Sequence, residues 1–482
     1  MSAQFSTYFL SAFLVLVPSF FSACHSDYLD DDDTDNRNTD TNDTGDSDSD
    51  TLTDTASDTG TPDTATDSTD IEAPACLSVV NPALADADAQ ALFDYDHVPV
   101  FDIFLPEEEW NMLIENAVDE EYTEASLCFE GQAVGTVGLR FKGSYGTLYG
   151  CFDDSGELIC DRLSMKLKFD KYVEDQRLFG LKRLNFRANR HDDSRMKEKI
   201  VFDLFREMGI TAPRAAWAVV RVNGESLGLY GMVEQIDGRM AADRFPDYPD
   251  GNVFKEIWPT DTVESTVVDG LRTNDEAPDV SAFLGFSQAI AAADDDEARL
   301  SVLGQYMDLD EWARYMAVDD AVVGYDGVTY FYTDPYSTHN HNYYIAEDTP
   351  GHFRLIPWDV EASFWVNPDH AAPHWTEIPD DCSLTYPYWS GYAIAPACDP
   401  IFAALNTNLG PWREAAQELL DGPFSVETMR TRIEQHAAFI GEAARAPETP
   451  TMYTTFDNSV SGLIDMIPEL RERLQLLIAD EE

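Results

Sequence analysis

The stretch NHNYYIAEDTPGHFRLIPWDVEASFW, residues 340–365, predicts two short strands joined by a turn. NYYIA and FRLIPW are aromatic and β-branched, and EDTPGH between them contains the Pro and Gly of a tight turn. Asp359 and Glu361 follow the second strand, and if the chain stays extended there, both carboxylates project to the same side. With the Asn342 amide at the start of the first strand, they would form an all-oxygen ligand set that suits Mg²⁺ or Mn²⁺.

Length and charge limit the function classes around this hairpin. The chain has 482 residues, enough for one large domain or two, and its formal net charge is -59. Such a surface repels nucleic acid and anionic lipid, and it favours cations or basic partners. We therefore expect no nucleic-acid partner.

The N-terminal run FLSAFLVLVPSFFSAC, residues 9–24, has the length and apolar character of a signal peptide and is too short for a membrane span. FSAC resembles a bacterial lipobox. That resemblance implies a lipoprotein-type signal peptide over residues 1–23 and a lipid anchor on Cys24. The alternative is an ordinary secretory signal in which Cys24 is incidental. Either route predicts export, to a periplasm-facing or cell-surface membrane site if the chain is anchored and as a secreted protein otherwise.

Six cysteines remain besides Cys24, and an even number in an exported chain predicts disulfides. The pairs Cys151–Cys160 and Cys382–Cys398 would close short loops, so we predict both. A zinc site is less favoured, because no CxxC pair or His cluster accompanies the cysteines.

Residues 24–75 differ in composition from the rest of the chain. Between residues 27 and 72 there are sixteen Asp and one Glu against a single Arg, mixed with Thr, Ser, Asn and Gly. Such a segment cannot bury apolar surface and repels itself, so it is predicted to be a disordered linker. The folded domain is expected to begin near Cys76.

The folded part changes character along its length. Residues 95–237 predict a mainly antiparallel sheet with one central helix, which Ser194 would cap and Gly209 would end. Helices dominate from about Leu309, with the hairpin among them. The predicted fold class is therefore α+β in two lobes, one over about 95–237 and a mainly helical one over about 238–482. The individual predictions are a strand over 98–105, a helix over 106–117, a hairpin turning at 130–131, a strand over 163–171, a helix over 194–209, a hairpin turning at 223–224, and helices from 309 and after 424.

Three lysines in the sheet region could bind phosphate. In the strand LSMKLKFDK, Lys166 and Lys168 share one face, and Lys142 lies in the preceding strand. Glu198, at the start of the central helix, could pair with one of them, as a helix glutamate does in kinase-type nucleotide sites. The alternatives are a solvated strand face and a solvated helix start.

Asp326, in GYDG, follows an apolar helix and precedes a glycine. It could act as a general base on a hydroxyl. The alternative is ordinary turn chemistry, since Asp-Gly is a common turn dipeptide.

Taken in order, several segments resemble the kinase-like family of spore coat protein H, the CotH kinase family. They are VGLRFKGS, SMKLKF, LFGLKRLNFRAN, SRMKEKIVFDLFREMGITAPR, VRVNGESLGLYGMVEQID, GYDG, HNYYIAED and FRLIPWD, and they run from about residue 95 to 365. The helical tail extends the likeness towards residue 480. The family's first loop usually reads RG where this chain has Lys142–Gly143, and the acid after WD is more often Asp than Glu361.

The resemblance implies an atypical protein-kinase-like fold that transfers the γ-phosphoryl group of ATP, with Mg²⁺ or Mn²⁺, to Ser or Thr hydroxyls of a protein substrate. Asp359 and Asn342 match the family's metal-binding aspartate and asparagine, and Asp326 matches its catalytic-loop aspartate. A lysine of SMKLKF would hold the ATP phosphates beside Glu198. The rival reading is a pseudokinase or surface adhesin without catalysis, and a metal-dependent hydrolase is a weaker third. The sequence does not identify the substrate or the oligomeric state.

Overall fold

The computed structural model describes residues 76, 80–144, 147–153, 155–365, 372–388 and 391–480. The predicted signal peptide, the anchor at Cys24 and the predicted linker over residues 24–75 lie outside these ranges. Within them the fold is mixed α+β, as the sequence predicts.

The first part of the described chain combines strands with short helices. Its elements are α1 (Ala83–Asp86), α2 (Ala89–Phe93), β1 (Val100–Phe104), α3 (Glu107–Glu115), β2 (Thr123–Phe129), β3 (Gln132–Lys142), β4 (Ser164–Lys168), β5 (Arg183–Arg187), α4 (Lys197–Glu207), β6 (Ala215–Val222) and β7 (Glu225–Glu234).

These strands form a closed barrel rather than an open antiparallel sheet. The order is β1-β2-β3-β4-β5-β7-β6, and neighbouring strands are antiparallel except at the closing pair. There β1 runs parallel to β6, with Val100 opposite Val219. Closure leaves no open sheet edge in the barrel.

The two hairpins predicted in this part are confirmed, and their turn residues explain them. Glu130 and Gly131 between β2 and β3 have φ of 50° and 70°, and Asn223 and Gly224 between β6 and β7 have φ of 53° and 85°. Two consecutive residues with positive φ are the conformation of a type I′ turn, whose twist matches that of the flanking strands.

The period-two pattern of β4 separates two chemically different faces. Met165 and Leu167 are fully buried in the barrel interior, where Phe101 packs against Phe129 and Phe186 with ring centroids 5.0 and 4.9 Å apart. On the opposite face Lys166 is only 2% exposed. The outer face of β4 is therefore covered at Lys166 and not solvated.

Helix α4 confirms the predicted central helix but not its predicted cap. Gly209 follows the helix with φ of 79°, as expected of a glycine that ends a helix. The helix begins at Lys197, three residues after Ser194, because the carboxylate of Asp192 accepts the Lys197 N–H at 2.9 Å and also the Ser194 N–H and hydroxyl. Asp192 thus accepts the N–H of the first helical residue, while the Ser194 hydroxyl accepts the Met196 N–H at 3.3 Å, one residue before the helix.

The second part of the described chain is mainly helical but also contains two small sheets, which the sequence did not predict beyond one hairpin. Its elements are α5 (Gly238–Arg244), β8 (Val253–Lys255), α6 (Glu264–Asp269), α7 (Ser281–Ala292), α8 (Asp296–Tyr306), α9 (Leu309–Val322), β9 (Phe331–Thr333), β10 (Thr338–His339), β11 (Tyr343–Thr349), β12 (His352–Pro357), β13 (Thr385–Tyr388), β14 (Gly391–Ile394), α10 (Pro400–Leu405), α11 (Gly410–Asp421), α12 (Val426–Ala444) and α13 (Phe456–Asp480). The sheets have the orders β12-β11-β8 and β10-β9-β14-β13. Across the described ranges, no helix has both the length and the apolar character to cross a bilayer.

Both predicted disulfides are confirmed, and a third joins Cys76 to Cys128. Three disulfides in one chain are typical of an exported protein.

Removing the disulfide Cys76–Cys128 by a double Ser substitution is expected to lower the free energy of unfolding by about 4 kcal/mol, because it closes the longest loop. Its cysteines are 52 residues apart, against 9 for Cys151 and Cys160. The matched Cys151→Ser/Cys160→Ser variant is expected to lose about 2.5 kcal/mol. Chemical denaturation under non-reducing conditions measures both losses, and a larger loss in the second variant would contradict the prediction.

Candidate active site

The hairpin β11–β12 places Asn342 and Asp359 beside each other at one of its ends. The Trp358 N–H donates to the Asn342 carbonyl at 3.1 Å, and the ladder continues with Tyr343 opposite Pro357. Asn342 and Asp359 have φ of 61° and 47°, in the left-handed region that Asn and Asp tolerate best. The chain therefore leaves the ladder at both residues. A turn follows Asp359, so the extended path that would put the Asp359 and Glu361 carboxylates on one side is not present.

The loop that carries Asp326 is bonded to the segment that follows Asp359. The Tyr325 N–H donates to the Ala362 carbonyl at 2.9 Å, and the Phe364 N–H donates to the Val322 carbonyl at 2.6 Å. At Gly324 a Cβ would lie 2.3 Å from Oδ1 of Asp319, so any larger residue there would displace that carboxylate. The backbone thereby holds Asp326 next to the end of the hairpin.

Three side chains hold the Asp326 carboxylate. Oδ1 accepts from the Tyr332 hydroxyl and lies 2.7 Å from Nε2 of His341. Nδ2 of Asn342 donates to Oδ2 of Asp326 at 3.0 Å and to its backbone carbonyl at 2.6 Å. Burial disfavours a charged imidazole, but Asp326 and the further acids Glu256 and Asp359 raise the pKa of His341 to about 9.

Arg187, from the end of β5, connects three acidic side chains. It donates through Nη2 to Oδ1 of Asp359, its Nε lies 3.5 Å from Oε2 of Glu198, and its Nη2 lies 3.9 Å from Oε2 of Glu361. In the described part of the chain, Nε of Arg187 and Oε2 of Glu198 are buried without a hydrogen-bond partner.

Burial and Arg187 act in opposite directions on these acids. Burial raises the pKa of Glu198 to about 7 despite Arg187, and it also raises the pKa of Glu361, which accepts the His191 N–H at 3.0 Å. Burial acts the same way on Asp359, but Arg187, Lys142 and other cations outweigh it and hold the pKa of Asp359 below its usual value. Asp359, at 35% exposure, is also the most solvent-accessible of the three.

The predicted lysines occupy different places. Lys142 lies 5.1 Å from the Trp358 ring centroid, and burial together with Arg187 and Lys166 lowers the pKa of Lys142 to about 7. Lys166 therefore lies in the same electrostatic environment. Lys168 is further along β4, with Nζ 5.9 Å from the Tyr122 ring centroid.

Several residues of this site were missed by the sequence reasoning. Arg187 is the cation observed at 3.5 Å from Glu198, where a strand lysine was predicted. His341 and Tyr332 contact Asp326, and Glu256 accepts the Asn342 N–H at 3.0 Å. One signal could have identified Arg187. Every second residue of β5 is polar, namely Arg183, Asn185 and Arg187, and these side chains share the strand face that lies next to the lysine face of β4.

Comparison with known proteins identifies a family and two relatives. Residues 139–475 match the family model described as CotH kinase protein. Inner spore coat protein H of Bacillus subtilis is 26% identical over 200 residues, which are 38% of this chain and 51% of that protein. Invasin CotH7 of Rhizopus delemar is 25% identical over 211 residues, which are 41% of this chain and 33% of that protein. The chain thus spans about half and a third of the lengths of these relatives.

The family match covers more than half of the chain and includes the Asp326 loop, the hairpin and the strands that carry Lys142, Lys166 and Arg187. This chain therefore belongs to the CotH kinase family.

Proposed function

We propose that this protein is an exported, divalent-metal-dependent phosphotransferase that moves the γ-phosphoryl group of ATP to Ser or Thr hydroxyls of a protein. The observation that carries the proposal is that Asp326, Asn342 and Asp359 meet at one end of a hairpin, next to buried cations of the barrel. A two-lobed kinase arrangement, with lobes over about 95–237 and 238–482, and lipid anchoring through Cys24 belong to the same proposal.

The donor set fits Mg²⁺ or Mn²⁺. Nδ2 of Asn342 donates to Asp326, which leaves its amide oxygen for a cation, and Arg187 uses only Oδ1 of Asp359. Glu361 is the third predicted ligand. In the described ranges no three His, Cys, Asp or Glu side chains already surround a possible metal position. A site of one or two carboxylates, completed by an amide, water and phosphate oxygens, is the kind that Mg²⁺ prefers. Such an ion supplies charge neutralisation at the transferring phosphate.

Cations of the barrel are suited to bind the ATP phosphates. Lys142, Lys166 and Arg187 come from three adjacent strands and are electrostatically coupled. Arg187 fits the role that the sequence assigned to a lysine paired with Glu198, because a guanidinium remains charged where burial lowers the pKa of Lys142 to about 7.

Asp326 is the proposed general base. As the acceptor oxygen bonds to the γ-phosphorus, the bond from that phosphorus to the β,γ-bridging oxygen breaks, ADP leaves, and the hydroxyl proton passes to Asp326. Tyr332, His341 and Asn342 fix the orientation of the Asp326 carboxylate. Phosphoryl transfer depends mainly on positioning and charge neutralisation, which these residues are suited to provide.

A binding protein without catalysis is the second candidate. It is favoured by the contact of Arg187 with Asp359, which already neutralises the proposed metal ligand, and by the name invasin carried by one relative. Thermal shift separates the two, because metal-dependent stabilisation by ATP supports the enzyme and its absence at millimolar ATP supports the binding protein.

The Asp326→Asn variant tests the proposed chemistry. It keeps the size of the side chain and removes the base, so we expect metal-dependent transfer from γ-labelled ATP to fall by about 10² to 10⁴-fold. ATP-dependent stabilisation should remain. Asp381→Asn, at an exposed position, is the matched control. Equal transfer by Asp326→Asn and the control would exclude Asp326 as the base.

A further inference from the structure

We propose that the outer edge of β10, Thr338–His339, binds an extended Ser- or Thr-bearing segment of the acceptor protein as an added strand. The inference rests on the proposed function and concerns how that same site receives its acceptor. β10 is an edge strand, since the sheet order is β10-β9-β14-β13 and β10 pairs with β9 on one side. An exposed edge of this kind is a template for another strand.

Backbone groups on this edge are available for pairing. The Asp334 N–H donates to the Ser337 carbonyl at 3.0 Å, so alternation along the strand points the backbone groups of Thr338 and Asn340 away from β9. Asn340 is only 3% exposed whereas Thr338 is exposed, so Thr338 carries the outward backbone groups on which the proposal rests. Both Thr338 and His339 are exposed to solvent.

The edge leads directly to the proposed base. His339 lies opposite Tyr332, with ring centroids 6.1 Å apart, and the ring of His341 lies 4.7 Å from Tyr332. His341 and Tyr332 both contact Oδ1 of Asp326. Side chains alternate along a strand, so every second residue of a strand added to β10 lies on the face of His339 and His341. A Ser or Thr at such a position is brought towards Asp326.

The sheet that carries this edge is held firmly. Phe331 of β9 is 4% exposed and packs against Trp258 and Phe402 at ring-centroid distances of 6.0 and 5.8 Å. The disulfide Cys382–Cys398 closes the chain around β13 and β14. Because the edge is already fixed, only the incoming peptide loses conformational entropy on binding.

A Ser/Thr peptide with successive N-methylated amides tests this mode of binding. The probe is the strongest binder from an arrayed Ser/Thr peptide library, labelled with fluorescein and measured by anisotropy against the full chain. Methylation at alternate amides is expected to weaken binding by about 5- to 10-fold, while the intervening positions change it little, because only every second N–H faces β10. Uniform sensitivity along the peptide would overturn the proposed strand pairing.

Two variants at one position test the edge itself. Thr338→Pro and Thr338→Val both remove the hydroxyl contact with Thr333, which measures 2.9 Å, but only Pro removes the outward N–H. We expect Thr338→Pro to raise the KM for the peptide by about tenfold, and Thr338→Val, which keeps the outward N–H, to raise it less. If Thr338→Pro does not fold, as melting would show, the methylation scan on the unmodified chain still decides.

The outcomes separate this inference from the proposed function. Alternating sensitivity in binding, without phosphate transfer to any peptide, keeps the edge as a peptide site and overturns the phosphotransferase. Phosphate transfer to a peptide without alternating sensitivity, or with an unchanged peptide KM in Thr338→Pro, overturns the strand-pairing proposal but not the phosphotransferase. Absence of both binding and transfer overturns both. Dimerisation of the chain that Thr338→Pro abolishes, seen by sedimentation, would show that a second copy occupies the edge and would also overturn the proposal.

Discussion

Replacing Asp359 with Asn is expected to remove metal-dependent phosphate transfer, by about 10³-fold or more, together with stabilisation by ATP and Mg²⁺. The substitution keeps the shape of the side chain and its place at the end of the hairpin beside Asn342, but it removes the carboxylate charge that a divalent cation needs. Asp359 is the most exposed of the three acids around Arg187, and nearby cations keep its pKa low, so it is ionised at neutral pH.

Two measurements identify the role of Asp359. Transfer from γ-labelled ATP is compared between Asp359→Asn and the unmodified chain, and thermal shift is recorded with ATP, with and without the metal. Asp326→Asn is the matched variant, since it should lose transfer while keeping the shift. Full metal-dependent stabilisation of Asp359→Asn would exclude Asp359 as a metal ligand, and full transfer would exclude the proposed mechanism.

Local elements of the fold were predictable because their signals are local. Turn dipeptides with positive φ, such as Asn223–Gly224, fixed the hairpins, and alternation identified β4. Barrel closure was not predictable, since it pairs Val100 with Val219, which are far apart in the chain and have no distinctive local pattern. Ser194 was expected to cap the helix, but Asp192, two residues earlier, accepts the Lys197 N–H, and the Ser194 hydroxyl accepts only that of Met196.

The candidate site was predictable in part for the same reason. The end of one hairpin places Asn342 beside Asp359, and that follows from strand pairing alone. The contact of Asp326 with Asn342 depends on how the Asp326 loop packs, for which the resemblance to a known family was the signal. Arg187 was missed, because an arginine in a strand is usually solvated, and its role depends on burial among acids from other elements.

Arg187→Met is expected to lower the free energy of unfolding by about 3–5 kcal/mol at pH 8, because it leaves Glu198, Glu361 and Asp359 without their shared cation. Arg187 is 5% exposed, and Glu198 and Glu361 are also buried, so water cannot replace the guanidinium at little cost. Met keeps much of the apolar contact of the arginine side chain. Arg187→Lys keeps a positive charge, so its free energy of unfolding should fall less than that of Arg187→Met.

The loss should shrink as the pH is lowered from 8 towards 5.5. In the folded protein the pKa of Glu198 is about 7, above its ordinary value of 4.5, so the folded state binds the proton more tightly. Ionisation of Glu198 therefore costs stability as the pH rises from about 4.5 to about 7. Arg187 lowers the pKa of Glu198 and of Glu361, so its removal raises both further. Acid then neutralises the side chains that Arg187 had paired. Asp359 has the opposite sign, since its pKa lies below the ordinary 3.8 and it stays ionised across this range in the unmodified chain.

Denaturant unfolding at pH 5.5, 7 and 8 measures the effect, with Arg214→Met as the matched control. Arg214 is equally buried and pairs with Glu234, but Glu234 also has Arg244 at 2.9 Å, so Arg214→Met should lose less stability than Arg187→Met. A deficit of Arg187→Met that grows on acidification would mean that the acids around it are stabilised as carboxylates by other groups. That result would contradict Arg187 as the group that offsets the burial of these acids.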